Sequence, residues 1–314
     1  MAEVTPQGIG ILFPGQGAQY VGMGRALYEQ SAVAARVLDE AESALEGAFL
    51  TALFEGPEQA LTATDMSQPA IYAVSYAAFC VLRESCPGLT ISAAAGLSLG
   101  EYTALTAAGS LPFSEGVRLV RHRGRLMQAA AEERHGTMAS VLGLEADVLA
   151  GVCAGIDDVY VANYNCPGQI VISGSETGVQ QASAACSEAG ARRVVPLQVS
   201  GAFHSPFMAS AREQLQPVLD AVPWAEPQFP VLANVTGMPY ESADAIAPLL
   251  GRQVVESVRW EDDCRWMLLQ GVERFCEVGP GKVLQGLMRK IERGARVVSM
   301  ETPEEIAAAR DAMQ

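Results

Sequence analysis

The chain has 314 residues, 49% of them hydrophobic, which is enough for one large domain or for a large and a small one. Its formal net charge is −15 at pH 7, and a chain this acidic is repelled by phosphates. We therefore exclude nucleic acid as a partner.

Neither a targeting segment nor a membrane segment is predicted. Residues 1–5 lack the basic start of a signal peptide, and the longest mostly apolar run, residues 70–82, is too short to span a bilayer. The seven cysteines form no Cys-x-x-Cys pair, and no histidine lies near enough in sequence to suggest a zinc site, so we expect no metal. Free thiols suit a reducing compartment, and we expect a cytoplasmic protein with no membrane partner.

Strands and helices alternate in the first part of the chain. Residues 8–13 and 90–95 are short, mostly apolar runs that predict buried strands. Helices are predicted at residues 25–45, 69–84, 101–108 and 113–131. This alternation favours a parallel sheet that is covered by helices.

The middle third of the chain has a different pattern. Strands are predicted at residues 137–144, 159–164, 169–173 and 193–199, and helices at residues 145–153 and 177–189. The order strand-helix-strand-strand-helix-strand is typical of a small ferredoxin-like unit made of two βαβ halves.

The larger pattern then resumes. Helices are predicted at residues 206–222, 260–270, 282–291 and 304–313, and short strands at residues 230–234, 274–278 and 296–299. The predicted fold class is α/β, with a large α/β-hydrolase-like domain on a parallel sheet and an inserted small ferredoxin-like α+β subdomain. We place the large domain at residues 1–133 and 201–314, and the subdomain at residues 134–200.

Residues 96–100 read Gly-x-Ser-x-Gly and lie between a predicted strand and a predicted helix. Such a turn holds the hydroxyl of Ser98 at a helix N-terminus, where the free N–H groups favour developing negative charge. The flanking glycines permit strained dihedrals and leave room for a substrate. We interpret the stretch as an acyl-transfer nucleophile, with a plain glycine-rich turn as the alternative.

A serine nucleophile needs a base, and the chain contains three histidines. We expect His122 and His135 to be solvated, because they lie in or beside a basic, polar helix end. His204 lies where the chain returns from the small unit to the large one, and loops at such junctions often line clefts. It is either the general base for Ser98 or a cap of the following helix.

Arg123 lies in the apolar stripe of its predicted helix. Four apolar residues occupy the offsets of three and four positions from it: Leu119, Val120, Leu126 and Met127. A buried guanidinium needs an anionic or strongly polar partner. Arg123 is therefore either one half of a buried ion pair or a clamp for a substrate carboxylate.

Two further polar residues are candidates for a ligand crevice. Gln16 lies in a glycine-rich loop after the first predicted strand, and such loops gather at the crevice of a parallel sheet. The loop contains neither Gly-x-Gly-x-x-Gly nor Gly-Lys-Ser/Thr, so it does not predict binding of nucleotide phosphates. Asn163, in the small unit, is either a site residue or only a turn residue.

Six segments, in order along nearly the whole chain, resemble the acyltransferase family that supplies malonyl groups to acyl carrier protein in fatty-acid and polyketide synthesis. They are residues 13–19, 96–102, 121–124, 168–174, 201–205 and 277–281. The resemblance implies malonyl-CoA as substrate, acyl carrier protein as partner and no bound cofactor. The family usually has histidine where this chain has Leu97, which leaves open the synthase that the chain serves.

The resemblance also implies catalytic roles. Ser98 attacks the malonyl thioester, and His204 takes its proton and later protonates the leaving thiolate. The backbone N–H groups of Gln16 and Leu99 hold the oxyanion, and the backbone carbonyl of Gln253 orients the histidine. A positioned base contributes about 10²- to 10⁴-fold to the rate.

The substrate-binding residues that the resemblance implies are Arg123, Phe203, Gln253 and Asn163. Arg123 pairs with the malonyl carboxylate, and the ring of Phe203 crowds an α-methyl group. Because carrier proteins are acidic, docking needs a local basic patch. The candidates, which are equally well explained as a solvated surface, are Arg289, Lys290, Arg293 and Arg296.

Three other functions remain open on the sequence. An editing acyl hydrolase of the same family gains nothing from Arg123 if its substrates lack a second carboxylate. A non-catalytic scaffold in a synthase complex has no need for the intact set of Ser98, His204 and Gln16. A general esterase is the least favoured, because no Asp or Glu lies in a recognisable triad order with the serine and the histidine.

Overall fold

The computed structural model of the chain describes residues 8–45 and 47–313. Residues 1–5, for which we expect no signal peptide, lie outside this part. No helix within the described residues is long and apolar enough to cross a membrane.

The secondary structure is numbered in chain order over the described residues. The strands are β1 (Ile9–Phe13), β2 (Ile91–Gly96), β3 (Thr137–Leu142), β4 (Val159–Cys166), β5 (Gln169–Gly174), β6 (Arg193–Pro196), β7 (Leu232–Ala233), β8 (Met238–Pro239), β9 (Arg274–Val278) and β10 (Arg296–Met300). The α-helices are α1 (Arg25–Gln30), α2 (Ala32–Ala44), α3 (Phe49–Glu55), α4 (Glu58–Thr62), α5 (Thr64–Ser85), α6 (Leu99–Ala107), α7 (Phe113–Glu133), α8 (Ala146–Ala154), α9 (Glu176–Glu188), α10 (Ala209–Ala221), α11 (Ile246–Gln253), α12 (Trp260–Leu269), α13 (Val283–Ile291) and α14 (Pro303–Met313). Short 3-10 turns precede α10 and α11, at Pro206–Met208 and Ala243–Ala245.

The large unit is built on a parallel sheet with the strand order β10-β9-β1-β2. Strand β1 is buried along its whole length. Its side chains alternate between the two faces, so Ile11 and Phe13 pack in one hydrophobic cluster and Leu12 packs in another, which contains Trp260. Burial on both faces is typical of a parallel sheet covered by helices. The parallel sheet expected from the sequence is confirmed.

The second unit is a separate antiparallel sheet with the strand order β4-β5-β3-β6. It has its own hydrophobic core, in which Val141 and Ile172 of the sheet pack with Leu149 of α8 and Ala182 of α9. This connectivity is that of a ferredoxin-like unit, so the expected α+β subdomain is confirmed. Its boundaries at residues 134–200 stay a prediction.

The helices differ from the sequence predictions in three ways. The single helix expected at residues 25–45 is two helices, because Ser31 is extended and its side chain caps α2. The helix expected from Pro69 begins five residues earlier, at Thr64, since its first turns are buried in the tertiary structure. Helices α3, α4 and α11 are missed, because five to eight residues show too little periodicity.

Three further elements are shorter than expected or begin differently. The strand expected at residues 230–234 is reduced to β7, which pairs with β8, and Val231 forms a single bridge with Ala94. The strand expected at residues 193–199 ends at Pro196, on the edge strand β6. The helix expected from residue 206 begins with a 3-10 turn and becomes α-helical only in α10.

Candidate active site

Ser98 forms the turn between β2 and α6. Its backbone is strained, with φ 53° and ψ −100°, which non-glycine residues rarely adopt. The two glycines of the motif are required by close packing. A Cβ at Gly96 would lie 1.8 Å from the carbonyl carbon of Gly100, and a Cβ at Gly100 would lie 2.2 Å from the carbonyl oxygen of Phe13. The turn therefore has the tight strand-turn-helix geometry that presents a nucleophile.

The imidazole of His204 lies against the serine hydroxyl. The Oγ of Ser98 is 2.8 Å from Nε2 of His204, and Nδ1 of the imidazole is 2.7 Å from the backbone oxygen of Gln253. Because a carbonyl oxygen only accepts hydrogen bonds, Nδ1 carries the proton and Nε2 accepts from the hydroxyl. The alternative role, capping of the next helical turn, belongs instead to Ser205, whose Oγ accepts from Phe207 N at 3.3 Å.

Burial keeps this imidazole neutral. His204 is buried, and desolvation together with the nearby charge of Arg123 lowers its pKa from 6.5 to about 4, while the hydrogen bond to Gln253 opposes the shift. The neutral form is the one that accepts a proton, so at pH 7 this imidazole is able to act as a base. The other two histidines lie elsewhere: His135 is exposed, and His122 lines a surface pocket among arginines.

Arg123 is 1% exposed and lies behind Ser98 and His204, on α7. Its Nη1 donates to Gln68 Oε1 at 2.7 Å, and its Nη2 donates to Gln253 Oε1 at 3.0 Å and to Ser98 Oγ at 3.1 Å. The guanidinium also lies 5.4 Å from the ring centroid of Tyr102. In the part of the chain that the structure describes, no carboxylate forms an ion pair with it. Its direct partners are neutral, and its Nε has none.

A buried polar network holds the strained turn. The side chain of Asn234 accepts a hydrogen bond from Ser98 N at 2.8 Å and donates to Gly96 O at 2.8 Å and to Asp263 Oδ2 at 2.9 Å. Glu101 accepts from Asn234 N at 3.2 Å. Burial raises the pKa of Asp263 well above its usual range and that of Glu101 to about 7. The serine backbone is thus fixed by side chains distant in sequence.

A cleft of about 760 Å³ opens at Ser98. Its walls come from both units, since Gln16 follows β1, Asn163 lies on β4, and Phe203 and His204 lie on the return from the subdomain. The structure therefore brings five of the predicted site residues to one cavity. A molecule bound in this cleft would meet the Ser98 hydroxyl and the His204 imidazole together.

The other three predicted site residues lie beside the cleft or behind its walls. Leu99 is the first residue of α6, and the first N–H groups of a helix have no partner within it. Gln253 ends α11, and besides holding His204 by its carbonyl it donates from Nε2 to Ser98 O at 2.9 Å. Arg123 does not line the cleft, but its guanidinium donates to the hydroxyl of Ser98, which does.

Sequence reasoning misses Gln68, Asn234 and Glu101. A signal exists for Asn234, because it ends a predicted strand, and polar residues at the carboxyl ends of parallel strands face the crevice. Glu101 directly follows the Gly-x-Ser-x-Gly motif. Gln68 has no signal, because the predicted helix begins one residue after it and its partner Arg123 is 55 positions away.

The basic residues expected to dock the carrier protein lie on the surface. Arg289, Arg293 and Arg296 are exposed, and Lys290 Nζ donates to Gln169 Oε1 of the subdomain at 2.7 Å. Among residues 8–45 and 47–313, no group of three or more His, Cys, Asp or Glu side chains could hold a metal ion.

Three comparisons with known proteins agree with this geometry. Residues 11–307 match the family model of the acyl transferase domain. The chain is 44% identical over 306 residues to the malonyl CoA-acyl carrier protein transacylase of Bacillus subtilis, covering 96% of each chain. The acyl carrier protein S-malonyltransferase of Vibrio cholerae is similar with a TM-score of 0.92 and 38% identity, over 96% of this chain and 99% of that one. A malonyl-transacylase solved in complex with its type II polyketide synthase acyl-carrier protein has a TM-score of 0.93 and 36% identity, over 97% and 99% of the two chains.

Proposed function

The chain belongs to the acyl transferase family, and we propose that it transfers a malonyl group from malonyl-CoA to the phosphopantetheine thiol of acyl carrier protein. The transfer serves fatty-acid or polyketide synthesis and follows a ping-pong mechanism through an ester on Ser98. One observation carries the proposal: the Ser98 hydroxyl contacts both a neutral imidazole, His204, and a buried guanidinium, Arg123. A base activates the serine for acyl transfer, and a cation beside it suits an acyl group with a carboxylate.

In the first half-reaction, Ser98 Oγ attacks the thioester carbonyl of malonyl-CoA while the hydroxyl proton moves to His204 Nε2. The carbonyl oxygen becomes an oxyanion, which accepts hydrogen bonds from the backbone N–H groups of Gln16 and Leu99. The C–S bond then breaks, and the imidazolium gives its proton to the CoA thiolate. The backbone carbonyl of Gln253 accepts from Nδ1–H throughout, in the place that a carboxylate takes in a Ser-His-Asp triad.

The second half-reaction runs in reverse with a new thiol. The phosphopantetheine thiol of the carrier protein gives its proton to His204, and its sulfur attacks the ester carbonyl. The tetrahedral intermediate collapses, the bond to Ser98 Oγ breaks, and the serine regains its proton from the imidazolium. Every step uses side chains, backbone groups and the two substrates, so the reaction needs no bound cofactor.

Selection of the malonyl group depends on two side chains. The guanidinium of Arg123 pairs with the malonyl carboxylate, and an acyl group without a carboxylate leaves that buried charge with neutral partners only. Phe203 is 5% exposed and lines the cleft, where its ring crowds an α-methyl group. A methyl clash of this kind discriminates by roughly 10- to 200-fold. Asn163, on the β4 wall, contributes a polar contact to the bound acyl donor.

We also propose the domain boundaries and the location of the protein. Residues 134–200 form the subdomain, because its first and last strands span residues 137–196, and residues 1–133 and 201–314 form the large domain. All seven cysteines are free, which suits the reducing conditions of the cytoplasm.

Intact-protein mass spectrometry tests the proposed reaction. The protein is mixed with malonyl-CoA, acetyl-CoA or methylmalonyl-CoA, with and without phosphopantetheinylated acyl carrier protein. We expect a malonyl adduct that is absent from Ser98→Ala and that moves to the carrier protein when this is added. Loss of the adduct to water at the same rate without carrier protein would identify an editing hydrolase. The absence of any adduct would identify a non-catalytic scaffold.

A further inference from the structure

The side-chain amide of Gln253 lies between a buried cation and a buried carboxylate. Its Oε1 accepts from Arg123 Nη2 at 3.0 Å, and its Nε2 donates to Glu101 Oε2 at 2.5 Å as well as to the neutral Ser98 O at 2.9 Å. Glu101 is 0% exposed, and Arg123 and Gln253 are each 1% exposed. The amide therefore links two opposite charges that do not contact each other directly.

The chemistry of the two partners determines which way this amide points. A guanidinium has only donors, and an ionised carboxylate has only acceptors. The amide oxygen must therefore face Arg123, and the amide nitrogen must face Glu101. In the reversed orientation, the amide N–H groups would face the N–H groups of Arg123, and the amide oxygen would face the carboxylate of Glu101. Because these groups are buried, no solvent can replace the lost hydrogen bonds.

Glu101 is itself held firmly by donors. Its Oε1 accepts from the hydroxyl of Tyr240, and its Oε2 accepts from Gln253 Nε2 and from Asn234 N. Burial raises the pKa of this carboxyl to about 7, whereas the three hydrogen bonds and the charge of Arg123 favour its ionised form. Above pH 7 the carboxylate is thus a fixed acceptor for the Gln253 amide.

We propose that Glu101 is a positioning residue for acyl-group selection: through the Gln253 amide, it holds the guanidinium of Arg123 where it receives the malonyl carboxylate. The inference rests on the proposed function, in which Arg123 binds that carboxylate. In the free enzyme, Nη2 also contacts Ser98 Oγ at 3.1 Å, but an ester oxygen is a poor acceptor. Once the serine is acylated, Gln253 and Gln68 are the two amides that hold the guanidinium.

The variant Glu101→Gln tests the proposal at about pH 8, where the carboxylate is ionised. The replacement keeps the shape of the side chain but removes the charged acceptor that aligns the Gln253 amide. It leaves Nε2 with two neutral acceptors, Ser98 O at 2.9 Å and Asn234 Oδ1 at 3.3 Å. We expect the ratio of malonyl to acetyl kcat/KM to fall on the order of tenfold, with a much smaller change in acetyl transfer. An equal fall for both acyl groups would mean a general structural role and would overturn the proposal.

The double variant Glu101→Gln/Arg123→Ala separates the inference from the proposed function. If Glu101 acts through Arg123, the double variant has the same malonyl-to-acetyl ratio as Arg123→Ala alone. Additive effects on the ratio would overturn the positioning role and leave the proposed function intact. If Arg123→Ala itself leaves the ratio unchanged, the carboxylate-binding role of Arg123 fails and the inference falls with it.

Two further variants guard against a folding defect. Tyr240→Phe removes one donor to Glu101 while keeping the ring, and we expect a smaller fall in the same ratio; an unchanged ratio would count against the proposal. Glu277→Gln is the matched control, because this buried carboxylate accepts from Leu284 N and Gln285 N at 2.9 and 2.8 Å, at the start of α13. It should lower thermal stability and leave the ratio unchanged.

Discussion

The guanidinium of Arg123 donates a hydrogen bond of 3.1 Å to the hydroxyl oxygen of Ser98. Since a guanidinium can only donate, the hydroxyl proton is left to point at His204 Nε2, 2.8 Å away. The side chain proposed to bind the acyl carboxylate therefore also directs the serine proton toward its base. In the proposed function, acyl selection and activation of the nucleophile therefore share one residue.

The reactivity of Ser98 should persist well below neutral pH. His204 acts as a base in its neutral form, and a lowered pKa moves the acid limb of the profile downward. We expect the rate of Ser98 sulfonylation by an uncharged sulfonyl fluoride to stay level down to about pH 5 and to fall with a midpoint near 4. In Arg123→Ala the midpoint should rise, because the charge that helps to lower the pKa is gone. A wild-type midpoint near 6.5, the ordinary histidine value, would contradict the burial argument.

Removal of the guanidinium should change acyl selection. In Arg123→Ala we expect malonyl kcat/KM to fall about 100-fold, because a charge-assisted pair contributes about 3 kcal/mol, while acetyl transfer is spared or rises. Arg125→Ala is the matched control, since Arg125 is exposed on the same helix. Steady-state transfer to carrier protein from the two CoA esters measures the ratio. An equal fall for both acyl groups would argue against the carboxylate clamp.

The nucleophile turn should not tolerate a methyl group at Gly100. A Cβ there would lie 2.2 Å from the carbonyl oxygen of Phe13, so Gly100→Ala must displace backbone. We expect a loss of about 1–3 kcal/mol in the free energy of unfolding and a large loss of Ser98 acylation. Gly151→Ala, also in a helix, meets nothing within 4 Å and should be neutral or stabilising by up to about 1 kcal/mol. Chemical denaturation of both variants checks the contrast, and an equally stable Gly100→Ala would refute it.

The ring of Phe203 should set the tolerance for α-branched acyl groups. In Phe203→Leu we expect methylmalonyl transfer to rise relative to malonyl transfer by about tenfold, because the smaller side chain leaves room for a methyl group. Phe229→Leu, half-buried and not part of the cleft lining, serves as the control. Competition between the two CoA esters for one carrier protein gives the ratio directly. An unchanged ratio would place the methyl discrimination elsewhere in the cleft.

The fold class was accessible from the sequence because burial leaves a periodic pattern in each element. The continuous apolar run at residues 8–13 and the strand-helix order of residues 137–199 predict the parallel sheet and the ferredoxin-like unit. The ends of the helices and strands were harder to predict from the sequence. Helix α5 starts at Thr64 and the helix expected from residue 25 breaks at Ser31, because buried contacts and a side-chain cap decide such ends.

The sequence by itself determined which groups are the candidates for reactivity in this protein. The nucleophile turn is a local feature, in which Ser98 and its glycines are neighbours in the chain. Because the chain has three histidines, few residues were candidates for the base. Only the tertiary structure decided what each group contacts. Arg123 meets Ser98, Gln68 and Gln253 across 25, 55 and 130 positions, and those contacts show that its partners are neutral amides and a hydroxyl. Hydrogen bonds between residues so far apart depend on how the helices pack, and no local pattern of residue types specifies that packing.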